Sequence, residues 1–490
     1  MKEKLRTLIT TDLECDDMNS MIHLCLHMDE LEIAGIVYTA SRYHFNGDGV
    51  HTLGEVTPHY SCSGLAALEG RRRGRGPDPE AKDLKEYRPF EEGWIESLFS
   101  NEYAAVYPNL CLHSADYPSP GKLLGLVKYG NTAFEGDVRF ETEGSRMIED
   151  VMLDDDPRPL YIQSWGGINT VVRALMSVEE KYRGTEEWDD VYNKICRKVR
   201  ILGMADGVGQ DNSWQDHAAA VWKDIVLIRS EFIYGSFFSS LRTQPDSVDT
   251  YRAPWLTKNI KFGHGPLLEK TILMGDGTYI KGEPENRQYG KITYIDWGLP
   301  KFPRVDFNRY DWLGEGDSTT WVPLLPNGLR GLENGDLGTV LGRLYADGET
   351  LSPGDDAQKN PNPFLAAFQS EWAARADWCV RPYEECAHPP VVRAQSDEIS
   401  AHPGQTVQLC VSAEDADGSG LKTVWFVYTA AGRYRGRARN LRPFSLTEPV
   451  TSFCVPEDAV PGDRFVLCLA AETVKKPSIV RYAEICVTVE

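Results

Sequence analysis

The feature that most narrows what this chain can fold into lies near its start. An apolar, β-branched run, Leu8-Ile9-Thr10-Thr11, passes directly into Asp12-Leu13-Glu14-Cys15-Asp16-Asp17. The run reads as a buried strand, and Met18, Met21, Ile22, Cys25 and Leu26 follow at helical spacing. Four carboxylates therefore fill a strand-to-helix turn. In an open α/β sheet such turns lie at the carboxyl ends of the strands, where ligands enter the crevice. Asp16 and Asp17 would suit the first turn of a helix through its dipole, which accounts for one or two acids. Four together repel unless a cation holds them, and clustered hard oxygen ligands suit calcium or magnesium.

A second strand is expected over Leu31–Thr39, giving a βαβ unit with a right-handed crossover. Its end, Ala40-Ser41-Arg42-Tyr43-His44, then falls beside the acidic turn and makes Ser41 a substrate-binding candidate. Residues from about 46 to 90 are rich in Gly, Pro and charge, the composition of a binding loop or lid inserted into the domain. His51, His59 and the basic cluster Arg71 to Arg75 are read as solvated within it. Gly144 and Ser145 open a helix, and Leu160–Trp165 reads as a strand ending in Gly166-Gly167-Ile168-Asn169-Thr170. Those glycines permit a tight turn or the close approach of a ligand or backbone. Lys198–Gly203, a third strand-like run, leads into a loop carrying Asp206, Gln210, Asp211, Asn212 and Trp214. Carboxamides suit sugar hydroxyls and a tryptophan can stack on a sugar face, although the same residues are good turn formers. His264, between two glycines, reads either as a ring satisfied by backbone or as a catalytic group. Glu315-Gly316-Asp317 places two more carboxylates in a glycine-bracketed loop.

An amphipathic helix from Phe364 to Trp378 closes this part of the chain, and Pro389-Pro390 marks a boundary. Beyond it the apolar period falls to two, in runs at Val407, Val424, Arg464 and Tyr482, which suggests a β-sandwich. The expected division is an α/β domain over 1–380, a linker over 381–392 and a sandwich over 393–490. Asp415-Ala416-Asp417-Gly418-Ser419 starts like a calcium loop, but Phe426 stands where an EF-hand has glutamate, so a turn is expected.

Composition excludes several classes. A formal charge of −21 argues against a nucleic-acid partner, whose phosphates need a basic footprint. No run of about eighteen apolar residues exists, so no membrane span is expected. Met1-Lys2-Glu3-Lys4 leads at once into the first strand, which points to the cytoplasm, or to secretion had a leader been removed. The 11 cysteines lack zinc spacing and read as buried apolar residues.

Asp12, Asp16 and Asp17 after an N-terminal strand resemble the Asp-x-Asp-Pro-Gly-x-Asp-Asp signature of calcium-dependent nucleoside hydrolases, with Thr10 in place of the first aspartate and Leu13-Glu14 in place of Pro-Gly. Further segments, in order, are similar to a family with a nucleoside-hydrolase-like domain followed by an immunoglobulin-like domain, some members of which are described as cellulose-binding. They are Tyr107-Pro108-Asn109-Leu110, the run from Asp156 to Thr170, Gly263-His264-Gly265-Pro266-Leu267, Glu315-Gly316-Asp317 and Pro326-Asn327-Gly328-Leu329. The fold so implied is an open, mostly parallel α/β sheet flanked by helices, plus an all-β immunoglobulin-like sandwich.

By the same resemblance one Ca2+ would be held by Asp17, Asp317, Asp12 and a backbone carbonyl near Trp165. Asp12 would be the base that activates water and Asp16 would hold a sugar hydroxyl. Ser41, Asn169, Asp211, Asn212, Trp214 and Glu315 are the substrate-binding candidates, with His264 or Glu315 as proton source. Gly316 stands where some nucleoside hydrolases have an acid histidine, and Glu14 adds a charge they lack, so the substrate expected is a nucleoside or another glycoside, a polysaccharide included. The competing readings are a non-catalytic carbohydrate-binding protein, with Trp165, Trp214 and the aromatic 290–321 stretch as a platform, and a structural protein with a vestigial acidic loop. Assembly as a homo-oligomer is compatible with all three.

Overall fold

The computed structural model describes residues 3–57, 82–204, 210–230, 245–282, 294–295, 305–335, 337–340, 342–347, 350–353 and 363–490. His59, the Arg71 to Arg75 cluster, Asp206 and much of the 290–321 stretch lie outside them. The chain divides into two compact units, one of Met1–Pro108, Asp116–Leu324 and Asp347–Ser352, the other of Asn109–Ala115, Leu325–Ala346 and Pro353–Glu490.

In the first unit six parallel strands are β1 Leu5–Thr11, β2 Leu31–Tyr38, β3 Val127–Tyr129, β4 Leu160–Trp165, β5 Val199–Met204 and β6 Val226–Ser230, and a short seventh, Thr350–Pro353, pairs parallel with β6. The order of the six is β3-β2-β1-β4-β5-β6. The chain winds outward from β1 on one side and from β4 on the other, so the direction of winding reverses between β1 and β4. That is the switch point where doubly wound sheets open a crevice at the carboxyl ends of their strands. Thr11 pairs with Tyr38 on one side and Trp165 on the other, which sets Asp12, Thr39 and Gly166 side by side at that edge.

Helices α1 Cys15–Cys25, α2 Glu143–Leu153, α3 Asn169–Tyr182 and α4 Trp188–Lys198 flank the sheet. Ile148, Met152, Ile162, Val171, Val178, Ile195 and Trp222 form one continuous core with the strands. The helix α2 starts at a reciprocal cap, in which Thr142 and Ser145 each accept the other's backbone N–H. In contrast to these half-exposed helices, α1 is buried along nearly its whole length, polar residues included. A helix of that kind must find partners for Asn19, Ser20 and His23 inside the protein.

The second unit holds two sheets. One orders Val391–Ala394, Thr406–Glu414 and Val450–Cys454, and the other Glu398–Ala401, Val480–Val489, Arg464–Thr473 and Leu421–Val427. Leu409, Trp425, Phe453, Phe465, Leu467 and Ile485 fill the space between them. The Arg464–Thr473 strand is buried on both faces, because Leu337, Phe364 and Tyr428 cover Val466 and Cys468 on its outer side. This explains its unbroken apolar run. The expected turn forms at Asp415, whose carboxylate accepts the N–H groups of Asp417 and Gly420. Among the described residues all ten cysteines are free, and no helix is long and apolar enough to cross a membrane.

Candidate functional site

The acidic turn is shaped by its own backbone. Asp12 leaves β1 with its N–H donated to the Trp165 carbonyl at 3.1 Å. Leu13 then adopts φ +57°, a left-handed conformation rarely taken by a branched side chain, and its N–H donates to Thr11 Oγ1 at 3.0 Å. The Thr11 hydroxyl in turn donates to Asp17. Thr10, which stands where the signature has its first aspartate, points its hydroxyl to the Gln163 carbonyl at 3.4 Å on β4.

The late loop is brought here by the polar face of α1. Asn19 donates to the carbonyls of Gly314 (2.8 Å) and Ile272 (3.0 Å) and accepts the Ile272 N–H at 2.8 Å. Ser20 Oγ accepts the Ser318 N–H at 3.1 Å, and His23 Nδ1 meets Glu315 Oε2 at 2.8 Å. One helix face therefore clasps residues about 300 positions away. As a result, carboxylate oxygens of Asp16, Asp17 and Asp317 lie within 4.8 Å of one another.

Electrostatics make this trio costly without a counter-charge. Asp17 and Asp317 are buried, and burial first, then each neighbouring aspartate, pushes their carboxyls well above the usual carboxylate range. Their carboxylate oxygens lie close together, an arrangement that a proton or a cation between them relieves. Asp12 is raised as well, chiefly by burial, with His44, Arg88 and a Ser41 hydrogen bond acting in the other direction. Its Oδ2 is buried without a hydrogen-bond partner among the described residues. Glu14 is neutralised locally, with Arg88 at 2.8 Å and His44 at 3.7 Å. A hard divalent cation fits three converging carboxylates, two of them buried. Asp16, expected to hold a sugar hydroxyl, stands in this set, while Asp12 lies beside it.

The other candidates divide. Ser41 is at the site, its Oγ also accepting the N–H groups of Tyr43 and His44. Glu315 is buried, held by His23 and the Ser318 hydroxyl, with Oε1 lacking a partner. Asn169 accepts from Thr39 at 2.6 Å and donates to the carbonyls of Asn131 and Asp137, so its amide braces the loops after β2 and β3. Asp211 accepts the N–H groups of Ile168, Asn169 and Ser213 and the Ser213 hydroxyl, which commits it to the start of α3. Asn212 is half-buried just beyond. Trp214 was expected to present a stacking face, but it is 4% exposed and packed into the sheet–helix core. Trp165 is fully buried too, its indole N–H held by Gln163 and Thr320, so these two rings form no platform. His264 donates from Nε2 to the Lys258 carbonyl at 3.0 Å, the backbone-satisfied arrangement. His23, His44, Arg88 and Glu135 were not singled out from sequence. His23 lies seven residues after Asp16 on one helix face, a spacing that would have revealed it, whereas Arg88 arrives after a long insertion with no local signal.

The commitment of Asp211 has a measurable consequence. Asp211→Ala removes four hydrogen bonds, two at the start of α3 and two to Ser213 in its own loop, and should lower stability by about 2 kcal/mol. Chemical denaturation of the variant checks it.

A doubly wound sheet with carboxylates at its switch point places a ligand site at that edge, and the fold alone leaves its chemistry open. The family comparison is more particular: residues 6–344 match the family described as "Cellulose-binding Sde182, nucleoside hydrolase-like domain", and residues 406–489 match "Cellulose-binding protein Sde0182, C-terminal domain". The chain belongs to that family. Among solved structures it is similar over 100% of both chains, at 19% identity and TM-score 0.67, to a nucleoside hydrolase-related hypothetical protein from Saccharophagus degradans described as associated with carbohydrate metabolism. Domain 1 of VCBP3 from Branchiostoma floridae aligns with 20% of this chain and 94% of its own, at 15% identity and a TM-score of 0.15, too low to bear on the fold. No curated protein matches the chain.

Proposed function

We propose that the chain is a calcium-dependent hydrolase of an N- or O-glycosidic bond, acting on a carbohydrate or nucleoside. The observation that carries this is the convergence of Asp16, Asp17 and Asp317 beside a buried Asp12 oxygen that has no hydrogen-bond partner among the described residues. Asp17 and Asp317 would hold the ion, with Asp16 and the Trp165 carbonyl completing its shell. When bound, such an ion eases proton loss from water and fixes sugar hydroxyls. Asp12 Oδ2 accepts the proton, and the Ser41 hydroxyl orients the Asp12 carboxyl. Asp16, the half-buried member of the trio, is the one open to a sugar hydroxyl. The surrounding carboxylates favour the oxocarbenium-like charge that develops at the anomeric carbon.

The family description supports a carbohydrate ligand, and it equally favours a second reading, in which the crevice binds a cellulose-derived sugar without chemistry. A panel of nucleosides, aryl glycosides and cello-oligosaccharides, assayed with calcium and then with chelator, separates the two. Hydrolysis of any member that chelator abolishes supports the first reading. Saturable sugar binding with no hydrolysis supports the second.

A further inference from the structure

The arrangement described so far contains a base, and its two sequence-derived proton sources are both engaged elsewhere. His264 Nε2 is tied to the Lys258 carbonyl, Glu315 Oε2 is held by His23 and the Ser318 hydroxyl, and Gly316 offers no side chain. Glu135, in the loop after β3, meets the requirements of a proton donor. It is 1% exposed, and its Oε2 is buried with no hydrogen-bond partner among the described residues. Its other interactions are a hydrogen bond from the Asn212 N–H, the attraction of Arg42 from the loop after β2, and the repulsion of Asp211 and Asp216 from the loop after β5.

Short steps connect it to Asp12. A Cβ placed on Gly166 would stand 2.6 Å from the Asp12 carboxyl carbon, so those two residues touch. The Gly166 carbonyl accepts the Gln210 N–H at 2.7 Å, and the Gln210 carbonyl accepts both the N–H of Arg42 (3.0 Å) and its Nε (3.1 Å). Glu135 accepts the Asn212 N–H, two residues after Gln210, and feels the charge of that Arg42. All of these groups follow the carboxyl ends of β1, β2, β3, β4 and β5, on one edge of the sheet.

Resting on the hydrolase reading above, we propose that Glu135 is the acid that protonates the leaving group. The glycosidic bond breaks with its electron pair on the departing oxygen or nitrogen, which takes the proton from Glu135 Oε2. The oxygen of one water bonds to the anomeric carbon, and its proton passes to Asp12. One water is consumed, and exchange with solvent returns both carboxyls to their starting states. Burial supports the assignment, since it pushes the Glu135 carboxyl up to about 8 and keeps it protonated at neutral pH.

The test compares wild type with Glu135→Gln and Glu135→Asp, in calcium, on two substrates with the same sugar: a nitrophenyl glycoside, whose leaving group needs no proton, and an alkyl glycoside, whose leaving group does. E135Q should lose about 10²- to 10⁴-fold in kcat/KM on the alkyl glycoside and less than tenfold on the nitrophenyl glycoside. It should also lose the alkaline limb of the pH profile, whereas E135D keeps that limb at a lower rate and serves if E135Q fails to fold. Equal losses on both substrates, or none on either, overturn the role of Glu135 while leaving the hydrolase reading intact. A wild type that hydrolyses no glycoside or nucleoside overturns both.

Discussion

Asp12→Asn should abolish turnover while leaving sugar affinity within a few-fold of wild type. The substitution keeps the shape of the side chain and its position at the end of β1, and removes only the capacity to take a proton. Positioned acid–base groups contribute about 10²- to 10⁴-fold, so a kcat loss in that range with little change in affinity is the expected split. The same variant should change stability in a defined direction. Burial raises the Asp12 carboxyl in the folded state above its ordinary value of 3.8. A carboxyl raised on folding contributes stability that is full below the unfolded value and is lost as pH rises through the folded one. In chelator, D12N should therefore be more stable than wild type at neutral pH, and the gap should close as pH falls toward 4. Thermal midpoints across that range check the sign. A variant that keeps turnover removes Asp12 from the role of base.

Gly166→Ala should be a strongly disruptive single-methyl change at the site. Gly166 has φ +97°, where side chains are strained, and its new Cβ would lie 2.6 Å from the Asp12 carboxyl carbon. The cost should be about 2–4 kcal/mol, with loss of calcium affinity because Asp12 and the Trp165 carbonyl must move. Gly184 supplies the control: its φ is +88°, but nothing lies within 4 Å of a Cβ there. Gly184→Ala should cost about 1 kcal/mol through backbone strain alone. Equal losses in the two variants would show that crowding against Asp12 contributes nothing. Gly167 is constrained independently, since its Cβ would fall 1.8 Å from the Ala40 carbonyl oxygen.

These glycines show how much of the molecule can be read from sequence. Strand β4 and its Gly-Gly turn follow from an apolar run and two residues without side chains, and β1 with α1 from a change of period. Local pattern sufficed because local sterics decide such elements. Asp317 was placed beside Asp17 only through resemblance, since no local pattern reports contact across 300 residues. Physically it is the polar face of α1 that makes the join, through Asn19, Ser20 and His23. Asn169 and Asp211 looked like ligand groups because the chemistry that binds a sugar hydroxyl also caps a helix or braces a turn. Trp214 looked exposed because its neighbours are polar, yet the core takes up its ring. Glu135 carried no signal at all, because its significance is its burial, which three separate loops create.

The most direct measurement is calorimetric titration of chelator-treated protein with calcium, alongside Asp17→Ala and Asp317→Ala. The account predicts one ion per chain in the wild type and none in either variant, with both variants folded. In chelator, those variants should unfold at higher temperature than wild type, because each removes a buried carboxyl that burial and its neighbours hold well above the usual range. A wild type that binds no calcium, or variants that bind it as tightly as wild type, would contradict the central claim that these loops form one cation site.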